Sequence, residues 1–265
     1  MPTQSVTRAL AILLCFSEEE PLLRGSDIAK KLDLTPSNVS RLLSTMESIG
    51  FVEKDHFSGC YRLGPEIISL SGIALNNYEI RKQALPELHK LEQELQLGAN
   101  LAILYKGKMF YLAHVDSHKS PRMYTMVGYR NPLHCTGIGK VLLAHLEKDK
   151  FDSIIKQEDL YPLTQNTITN KEDLLKELEN VKNQGYAIEK EELALGRACI
   201  AAPVRGRTGE VIGGISISGS LSDMNLEERE QELARKLIET TDLVSLKMGY
   251  ITVSNRCKFS FKRKG

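Results

Sequence analysis

The stretch Ser26–Gly50, SDIAKKLDLTPSNVSRLLSTMESIG, predicts two helices separated by a tight turn. Ser26 can cap a short helix over Asp27–Leu32, and Asp33-Leu34 then forms the turn. Thr35-Pro36 begins the second helix, because a hydroxyl cap followed by proline at the first helical position is typical of a helix start. The residues expected to form its buried stripe are Val39, Leu42, Leu43, Met46 and Ile49.

The flanking sequence completes a known DNA-binding arrangement. Before the two helices, apolar residues recur at helical spacing and predict a further amphipathic helix, at Val6, Ala9, Leu10, Leu13 and Leu14. After Gly50 the pattern changes to two short strands, Phe51–Glu53 and Cys60–Leu63, with turn residues at Phe57–Gly59. Three helices followed by a hairpin predict a winged helix-turn-helix, which we expect to occupy residues 1–64.

The rest of the chain predicts a linker and a larger second domain. A helix from Pro65 to Tyr78 lies in a linker at residues 65–80, and its partly apolar pattern suggests packing against a partner chain. The domain at residues 81–250 has helices alternating with an antiparallel meander, which indicates an α+β sensor domain. Its predicted helices are 84–97, 171–184 and 226–248, and its predicted strands are 100–105, 109–114, 199–204 and 210–218.

Two further local features stand out, one in this domain and one in the tail that follows it. Thr169 and Glu172 match a capping box for the helix at 171–184, and Gly185 supplies its end. The tail at 251–265 is basic and is read either as a solvated end or as an arm that strengthens DNA binding.

Composition excludes several classes of protein. The formal net charge of +1 favours neither nucleic acid nor membrane, so DNA binding must be argued from local patterns. The five cysteines are widely spaced and form no CxxC pair, which predicts reduced thiols in a cytoplasmic protein and neither a disulfide framework nor a zinc site. No metal and no cofactor are expected. No signal peptide and no apolar run of membrane-spanning length is recognisable.

The chain resembles the IclR family of transcriptional regulators over about Ser5 to Met248. The matching stretches are Ser5-Val6-Thr7-Arg8-Ala9-Leu10, Asp27-Ile28-Ala29, Arg41-Leu42-Leu43, Gly50-Phe51-Val52-Glu53, Gly59-Cys60-Tyr61-Arg62-Leu63-Gly64, Pro132-Leu133-His134, Gly139-Lys140, Gly185-Tyr186-Ala187, Cys199-Ile200-Ala201-Ala202-Pro203-Val204 and Ser216-Ile217-Ser218-Gly219. The resemblance implies an α+β architecture, with an N-terminal winged helix-turn-helix and a C-terminal GAF-like α/β effector-binding domain. It also implies a homodimer or dimer of dimers that binds double-stranded operator DNA.

The face of the second helix opposite its apolar stripe carries short polar residues and one arginine, which can enter the major groove. Arg41 can contact guanine or phosphate, Asn38 can read adenine, and Ser37 and Ser40 suit phosphate oxygens. The candidate DNA-binding set is Arg8, Ser26, Thr35, Ser37, Asn38, Ser40, Arg41, Ser44 and Arg62. The alternative is an ordinary solvated helix face.

Residues 1–65 hold seven Lys/Arg and eight Asp/Glu, which counts against DNA binding. We expect the acidic run Glu18–Glu20 to face away from the duplex. All seven cations, Lys31 and Arg62 among them, would then be available for phosphates.

The resemblance implies an effector pocket lined by Glu189, Cys199, Ser216 and Ser218, and covered on one side by the loop Gly128–Gly139. The two serines are two apart on a strand and so face the same way. The complete candidate set is Gly128, Leu133, His134, Glu189, Arg197, Cys199, Ser216 and Ser218. His134 is read first as a structural hydrogen-bonding residue, and Lys140 as a residue for structure or dimer contact.

Gly196-Arg197-Ala198-Cys199 departs from the family pattern, because the arginine is displaced by one residue. A displacement of one reverses the face of a strand side chain. The hypothesis is that Arg197 faces the pocket and pairs with an acidic effector, either an organic acid or a sugar acid. The alternative is an outward, solvated arginine.

The leading function is an effector-responsive regulator, of the repressor type, that controls catabolic genes. One rival is an enzyme in which Cys199 is the nucleophile, with His134 and Glu189 as base and orienting group. Another rival is an interaction scaffold that does not bind DNA.

Overall fold

The structure, a computed structural model, describes residues 3–119, 126–157 and 160–251, with Gln157 described by its backbone alone. Its contacts divide the chain into two compact units between Asn77 and Tyr78. The exact limits of the DNA-binding domain, linker, effector-binding domain and tail stay predictions, and residues 252–265 of the basic tail lie outside the described residues.

The first unit contains three helices, a two-stranded hairpin and a fourth helix. The elements are α1 (Gln4–Leu13), α2 (Gly25–Leu32), α3 (Pro36–Ser48), β1 (Val52–Lys54), β2 (Tyr61–Leu63) and α4 (Pro65–Asn76). The hairpin is antiparallel, with Val52 opposite Leu63. The predicted winged helix-turn-helix is therefore confirmed, including the start of α3 at Pro36.

The small core of this unit holds α2 and α3 in place. Ile12, Ile28, Val39, Leu43 and Val52 are its completely or almost completely buried members. Such burial stabilises by about 1.5–3 kcal/mol for each large apolar side chain. Because α3 contributes one face to this core, its opposite face is left to solvent.

Local details correct several predictions in this unit. Ser26 lies inside α2 and does not cap it; Arg24 precedes the helix, and its backbone N–H donates to the Asp27 carboxylate at 3.4 Å. Thr35 precedes α3 without capping it through its hydroxyl. Ile49 is 56% exposed because α3 ends at Ser48 and the chain turns away there. The turn itself is as expected, with Asp33 in the left-handed conformation at φ 51°.

Two helices of this unit expose apolar surface. On α1, Ala9 and Leu13 pack with the buried Ile12. The other predicted apolar positions, Val6, Leu10 and Leu14, are exposed, so the expected single apolar face is divided between two sides of the helix. Helix α4 has no buried residue at all, although it carries several large apolar side chains. Exposed apolar stripes of this kind are typical of surfaces that pack against another chain.

The second unit is a six-stranded antiparallel sheet with helices on both faces. Its elements are α5 (Glu79–Leu95), β3 (Gly98–Tyr105), β4 (Lys108–Val115), β5 (Arg130–Asn131), α6 (Gly137–Ala144), α7 (Lys148–Gln157), α8 (Lys171–Gln184), β6 (Ala187–Lys190), β7 (Arg197–Arg205), β8 (Val211–Ser220), α9 (Leu221–Met224) and α10 (Leu226–Lys247). The strand order is β5-β4-β3-β8-β7-β6. The predicted α+β architecture is confirmed.

Side chains alternate between the two faces of this sheet. One face packs against α5 and α10 through residues such as Leu88 and Leu237. The other packs against α6, α7 and α8 through residues such as Ile138 and Leu178. The candidate effector residues of the strands lie on this second face.

Three predictions in this unit need correction. The helix at 171–184 is capped by Asn170, whose side chain accepts from the Asp173 backbone N–H, and not by Thr169 with Glu172. Its end at Gly185, with φ 84°, is as predicted. The helix expected at 84–97 begins earlier, at Glu79. The predicted loop 128–139 contains the start of α6, whose Thr136 cap accepts from the Gly139 backbone N–H.

Candidate DNA-binding helix and effector site

The outward face of α3 is polar and accessible. Ser37, Ser40, Arg41 and Ser44 are exposed, and Asn38 is half-buried. The hydroxyls of Thr45 and Ser48 instead bond to backbone carbonyls of their own helix. The arrangement presents short side chains around one arginine, as a major-groove helix requires.

Arg41 differs from two other cations of this unit. It makes no side-chain hydrogen bond or ion pair with another described residue. Lys31 is paired with Glu20, and Arg62 donates from Nε to Glu53 at 2.9 Å. Both ion pairs are exposed and therefore weak, so the expectation that all seven cations are available for phosphates stays a prediction. Glu20 is held against α2 by its pair with Lys31.

Five candidate residues of the second unit come together on one sheet face. Glu189 lies opposite Cys199, and Cys199 lies opposite Ser218, so these three form a row across β6, β7 and β8. Ser216 and Arg197 lie two positions along their own strands and share this side. We call Glu189, Arg197, Cys199, Ser216 and Ser218 the polar sheet face.

Glu189 is completely buried and anchors this face. Its Oε1 accepts from the backbone N–H groups of Glu192 at 2.8 Å and Leu193 at 3.2 Å. Its Oε2 accepts no hydrogen bond within the described residues and lies 3.7 Å from Arg197 Nε. The Arg197 side chain is only 18% exposed, so it is not the outward, solvated arginine of the alternative interpretation. A buried carboxylate oxygen and a buried guanidinium nitrogen both have capacity for a further partner.

Cys199 is unsuited to nucleophilic chemistry. Burial, followed by the neighbouring Glu189 carboxylate, raises the pKa of its thiol to about 12. Reactive cysteines instead have a lowered pKa, because the thiolate is the nucleophile. A Cβ added at Gly137 would lie 2.8 Å from the Cys199 sulfur, so the start of α6 packs tightly on this thiol.

The remaining predicted pocket residues lie in the chain before α6. Leu133 and His134 are completely buried, and a ring nitrogen of His134 lies 3.2 Å from the Tyr161 carbonyl oxygen. This contact agrees with the structural role expected of His134. Gly128 is exposed, with φ 91°, and its backbone N–H donates to the Tyr111 carbonyl.

Sequence reasoning missed two residues beside the serines. Asn100 of β3 lies opposite both Ser216 of β8 and His114 of β4. Its side-chain Nδ2 donates to the hydroxyls of Ser216 at 3.3 Å and Ser218 at 3.4 Å. The sequence did contain an indication of this site: Asn100 is a single asparagine within the apolar run of β3. A buried polar side chain requires hydrogen-bonding partners nearby.

Lys140 of α6 supports the loop next to Glu189. It is almost completely buried, and its Nζ donates to Glu177 at 2.9 Å, to Glu192 at 2.6 Å and to the Ile188 carbonyl at 2.8 Å. Burial alone would lower the pKa of Lys140, but the two carboxylates outweigh it and raise that pKa. These contacts agree with the structural role expected of Lys140.

The described residues contain no cluster of three or more side chains that could hold a metal ion. Among the described helices, none combines the length and the apolar character that crossing a membrane requires.

Comparison with known proteins identifies relatives along nearly the whole chain. The family model described as the IclR helix-turn-helix domain matches residues 5–56, and the one described as bacterial transcriptional regulator IclR, C-terminal, matches residues 72–246. The chain is 34% identical over 246 residues to the HTH-type transcriptional regulator KdgR of Escherichia coli K12, covering 93% of each chain. It is 30% identical to the repressor AllR of the same organism, covering 93% of this chain and 90% of AllR.

A solved structure of a transcriptional regulator from Rhodococcus sp. RHA1 superposes with a TM-score of 0.85 at 28% identity. The match covers 93% of this chain and 98% of the Rhodococcus chain. The fold described above is thus shared over both units.

Proposed function

The chain belongs to the IclR family of transcriptional regulators, and we propose that it is a cytoplasmic homodimeric repressor of catabolic genes that a small organic or sugar acid controls. As a member, it is a DNA-binding regulator with a C-terminal effector-binding domain. Effector binding would shift the population between states that present the α3 helices of the two protomers differently to the operator.

The accessible face of α3 is the observation that carries DNA binding. Arg41 is exposed and uncommitted, at the centre of a row of small polar side chains. Arginine in this position can donate two hydrogen bonds to guanine or hold a phosphate. Ser37 and Asn38 lie in the first turn, where helix N-termini favour phosphate oxygens. Arg41 can contact DNA without opening an ion pair, whereas Lys31 and Arg62 would exchange exposed pairs for phosphate contacts.

The test measures binding to DNA from upstream of the chain's own gene and its neighbours. Arg41→Ala should weaken specific binding by about 1–3 kcal/mol, or about 5–150-fold. Arg207→Ala is the matched control, because Arg207 is an exposed arginine in the turn before β8 and should leave binding unchanged. Equal affinity of the wild type and Arg41→Ala for every sequence would contradict the assignment of α3.

The proposed effector carries an acid group that Arg197 meets. Arg197 shares the side of Cys199, and among the described residues the carboxylate nearest to it, that of Glu189, lies 3.7 Å from Nε, longer than a hydrogen bond. An anionic ligand could therefore engage the guanidinium without first breaking a close ion pair. The same face offers Ser216 and Ser218 as hydroxyl donors.

Arg197→Ala should reduce effector-induced release of DNA while leaving DNA binding without effector unchanged. Lys190→Ala is the control, because Lys190 is an exposed cation on the neighbouring strand and points to the other side. Candidate effectors are sugar acids, aromatic acids and short keto acids. An unaltered response of Arg197→Ala would remove Arg197 from the site.

Exposed apolar surface in the first unit supports the homodimer. Val6 and Leu10 on α1 and Leu14 just after it form one exposed stripe, and α4 exposes Ile68 and Ile73. Burying such surface against a second copy gives a favourable contribution of about 25 cal/mol per Å². Sedimentation analysis should give a dimer or a larger even-numbered assembly, and a monomer at micromolar concentration would contradict this part of the proposal.

A further inference from the structure

A chain of hydrogen bonds connects the protein surface to the serine pair of the polar sheet face. It begins at Asp116, which is exposed and whose Oδ1 lies 2.8 Å from His114 Nε2. His114 Nδ1 in turn lies 2.7 Å from Asn100 Oδ1, and Asn100 Nδ2 reaches both serine hydroxyls. Asn100 is buried, whereas the His114 side chain is 10% exposed.

The partners at the two ends of this chain determine where its protons lie. An ionised carboxylate only accepts, so His114 Nε2 must carry a proton toward Asp116. The other ring nitrogen faces the oxygen of Asn100, which also only accepts, so Nδ1 must carry a proton as well. This arrangement therefore corresponds to the doubly protonated, cationic imidazole.

The orientation of the Asn100 amide then determines whether the two serine hydroxyls donate hydrogen bonds to a ligand or accept them. Because Asn100 Nδ2 donates to both hydroxyl oxygens, the hydroxyl hydrogens of Ser216 and Ser218 remain available as donors. Two convergent hydroxyl donors suit a group that only accepts, and a carboxylate is such a group.

A neutral His114 gives the opposite result. With Nε2 still donating to Asp116, Nδ1 has a lone pair and calls for a donor, so the Asn100 amide turns its NH₂ toward the ring. Asn100 Oδ1 then faces the serines and accepts their hydrogens, which leaves only oxygen lone pairs for a ligand. Protonation of one ring thus reverses the hydrogen-bonding character of the serine pair.

We propose that Asn100 and His114 are specificity-determining positioning residues, which set Ser216 and Ser218 as donors for the carboxylate of the effector. Binding of that carboxylate is coupled to a proton on His114. The inference rests on the proposed effector site and names the group that the serine pair receives. Within the described residues, Asp116 is the one titratable group that reaches the ring, and Asn100, its neighbour from β3, carries no charge.

The first experiment needs no ligand. Nuclear magnetic resonance of the full-length chain follows the Asn100 side-chain amide signals and the His114 ring signals from about pH 5.5 to about pH 8.5. The two sets should move together with one midpoint, because the amide turns when the ring loses its proton. In His114→Gln the amide signals should stay constant. Asn100 amide signals that do not shift in the wild type while the His114 ring signals do would overturn the proposal.

The second experiment measures binding of gluconate, pyruvate and 4-hydroxybenzoate, each beside its neutral amide, by calorimetry in buffers of different ionisation enthalpy. Affinity for the acid that binds should fall as the pH rises through the His114 titration, by up to about tenfold per pH unit. Proton uptake should approach one per site at the higher pH. The neutral amide should show no such fall.

The variants separate positioning from simple structural damage. His114→Gln should keep a measurable affinity for the acid but lose the pH dependence, since a glutamine amide can donate to Asn100 without titrating. His89→Gln is the matched control, because His89 is exposed on α5 and should leave the pH profile unchanged. A wild-type profile that is flat, or that His114→Gln reproduces, would overturn the inference.

The outcomes also distinguish this inference from the proposed function. If an acid releases DNA from the wild type without any pH coupling, the regulator stands and the role of His114 fails. If the amide and ring titrate together but no acid affects DNA binding, the proposed effector class fails and the hydrogen-bond switch stands.

Discussion

Replacing Lys140 by methionine tests the buried ion cluster that supports the polar sheet face. The substitution keeps an unbranched side chain as far as Cε but removes Nζ and its three hydrogen bonds, leaving Glu177 and Glu192 without their cation. Breaking a buried ion pair by removing one partner costs about 3–5 kcal/mol. For a unit of this size that corresponds to a fall in melting temperature on the order of 10 °C.

The loss of stability should depend on pH, and the pKa of Glu192 determines whether it grows or shrinks as the pH rises. Burial raises the pKa of Glu192 from 4.5 to about 6, although Lys140 lowers it. Without Lys140 that pKa rises further. A folded-state pKa above the unfolded one makes the folded protein bind more protons in this range, so stability falls as the pH rises from the lower pKa toward the higher. The variant should therefore be more strongly destabilised at about pH 8 than at about pH 5.

Urea unfolding followed by circular dichroism, at one fixed protein concentration, measures both quantities. Lys176→Met is the matched control, because Lys176 forms an exposed ion pair with Asp173 and such pairs contribute little. Adding Glu192→Gln to Lys140→Met should recover much of the loss at about pH 8. A loss below about 1 kcal/mol, or an equal loss at both pH values, would refute the reasoning.

Four further outcomes follow from local geometry. The Cys199 thiol should resist iodoacetamide at neutral pH in the folded protein, since burial raises its pKa to about 12, and rapid alkylation would contradict its burial. Gly64→Ala should destabilise the first unit by about 1–3 kcal/mol, because its Cβ would lie 2.2 Å from the Gly50 carbonyl oxygen. Gly72→Ala in α4, with nothing within 4 Å, should instead stabilise by up to about 1 kcal/mol, as thermal melts would show. Asn170→Ala should reduce the free energy of unfolding by about 1 kcal/mol, while Thr169→Ala should change it little. A larger loss for Thr169→Ala than for Asn170→Ala would instead support the capping box that the sequence predicts.

Short-range sequence features predicted much of the fold. Pro36 and Gly185 mark the start of α3 and the end of α8 because their effects act on the residues beside them. Helix α6 was missed because Gly137 and Gly139 resemble a loop. A Cβ at Gly139 would lie 2.2 Å from the Leu133 carbonyl oxygen, so this glycine is required by close packing.

Residues of the candidate effector site were predicted only where the family resemblance, or the two-residue period of a strand, pointed to them. Ser216 and Ser218 follow from the family resemblance, and the period of two puts them on one side of the strand, but their partner Asn100 is 116 and 118 residues away. The partners of Lys140 are 37 and 52 residues away, Glu177 and Glu192. Such pairs depend on strand register and helix packing, which a single sequence does not specify.

The close approach of Gly137 to the Cys199 sulfur has a consequence for anyone who re-engineers ligand selectivity. A methyl group added at Gly137 alone would lie 2.8 Å from the Cys199 sulfur and 3.1 Å from the Ala201 Cβ, so a neighbouring group would have to shift to accommodate it. A mutant library that varies Gly137 and Cys199 one at a time would therefore discard variants that are viable only in combination. Cys199→Ala with Gly137→Ala is the simplest such combination, and it exchanges a sulfur on the strand for a methyl group on the helix.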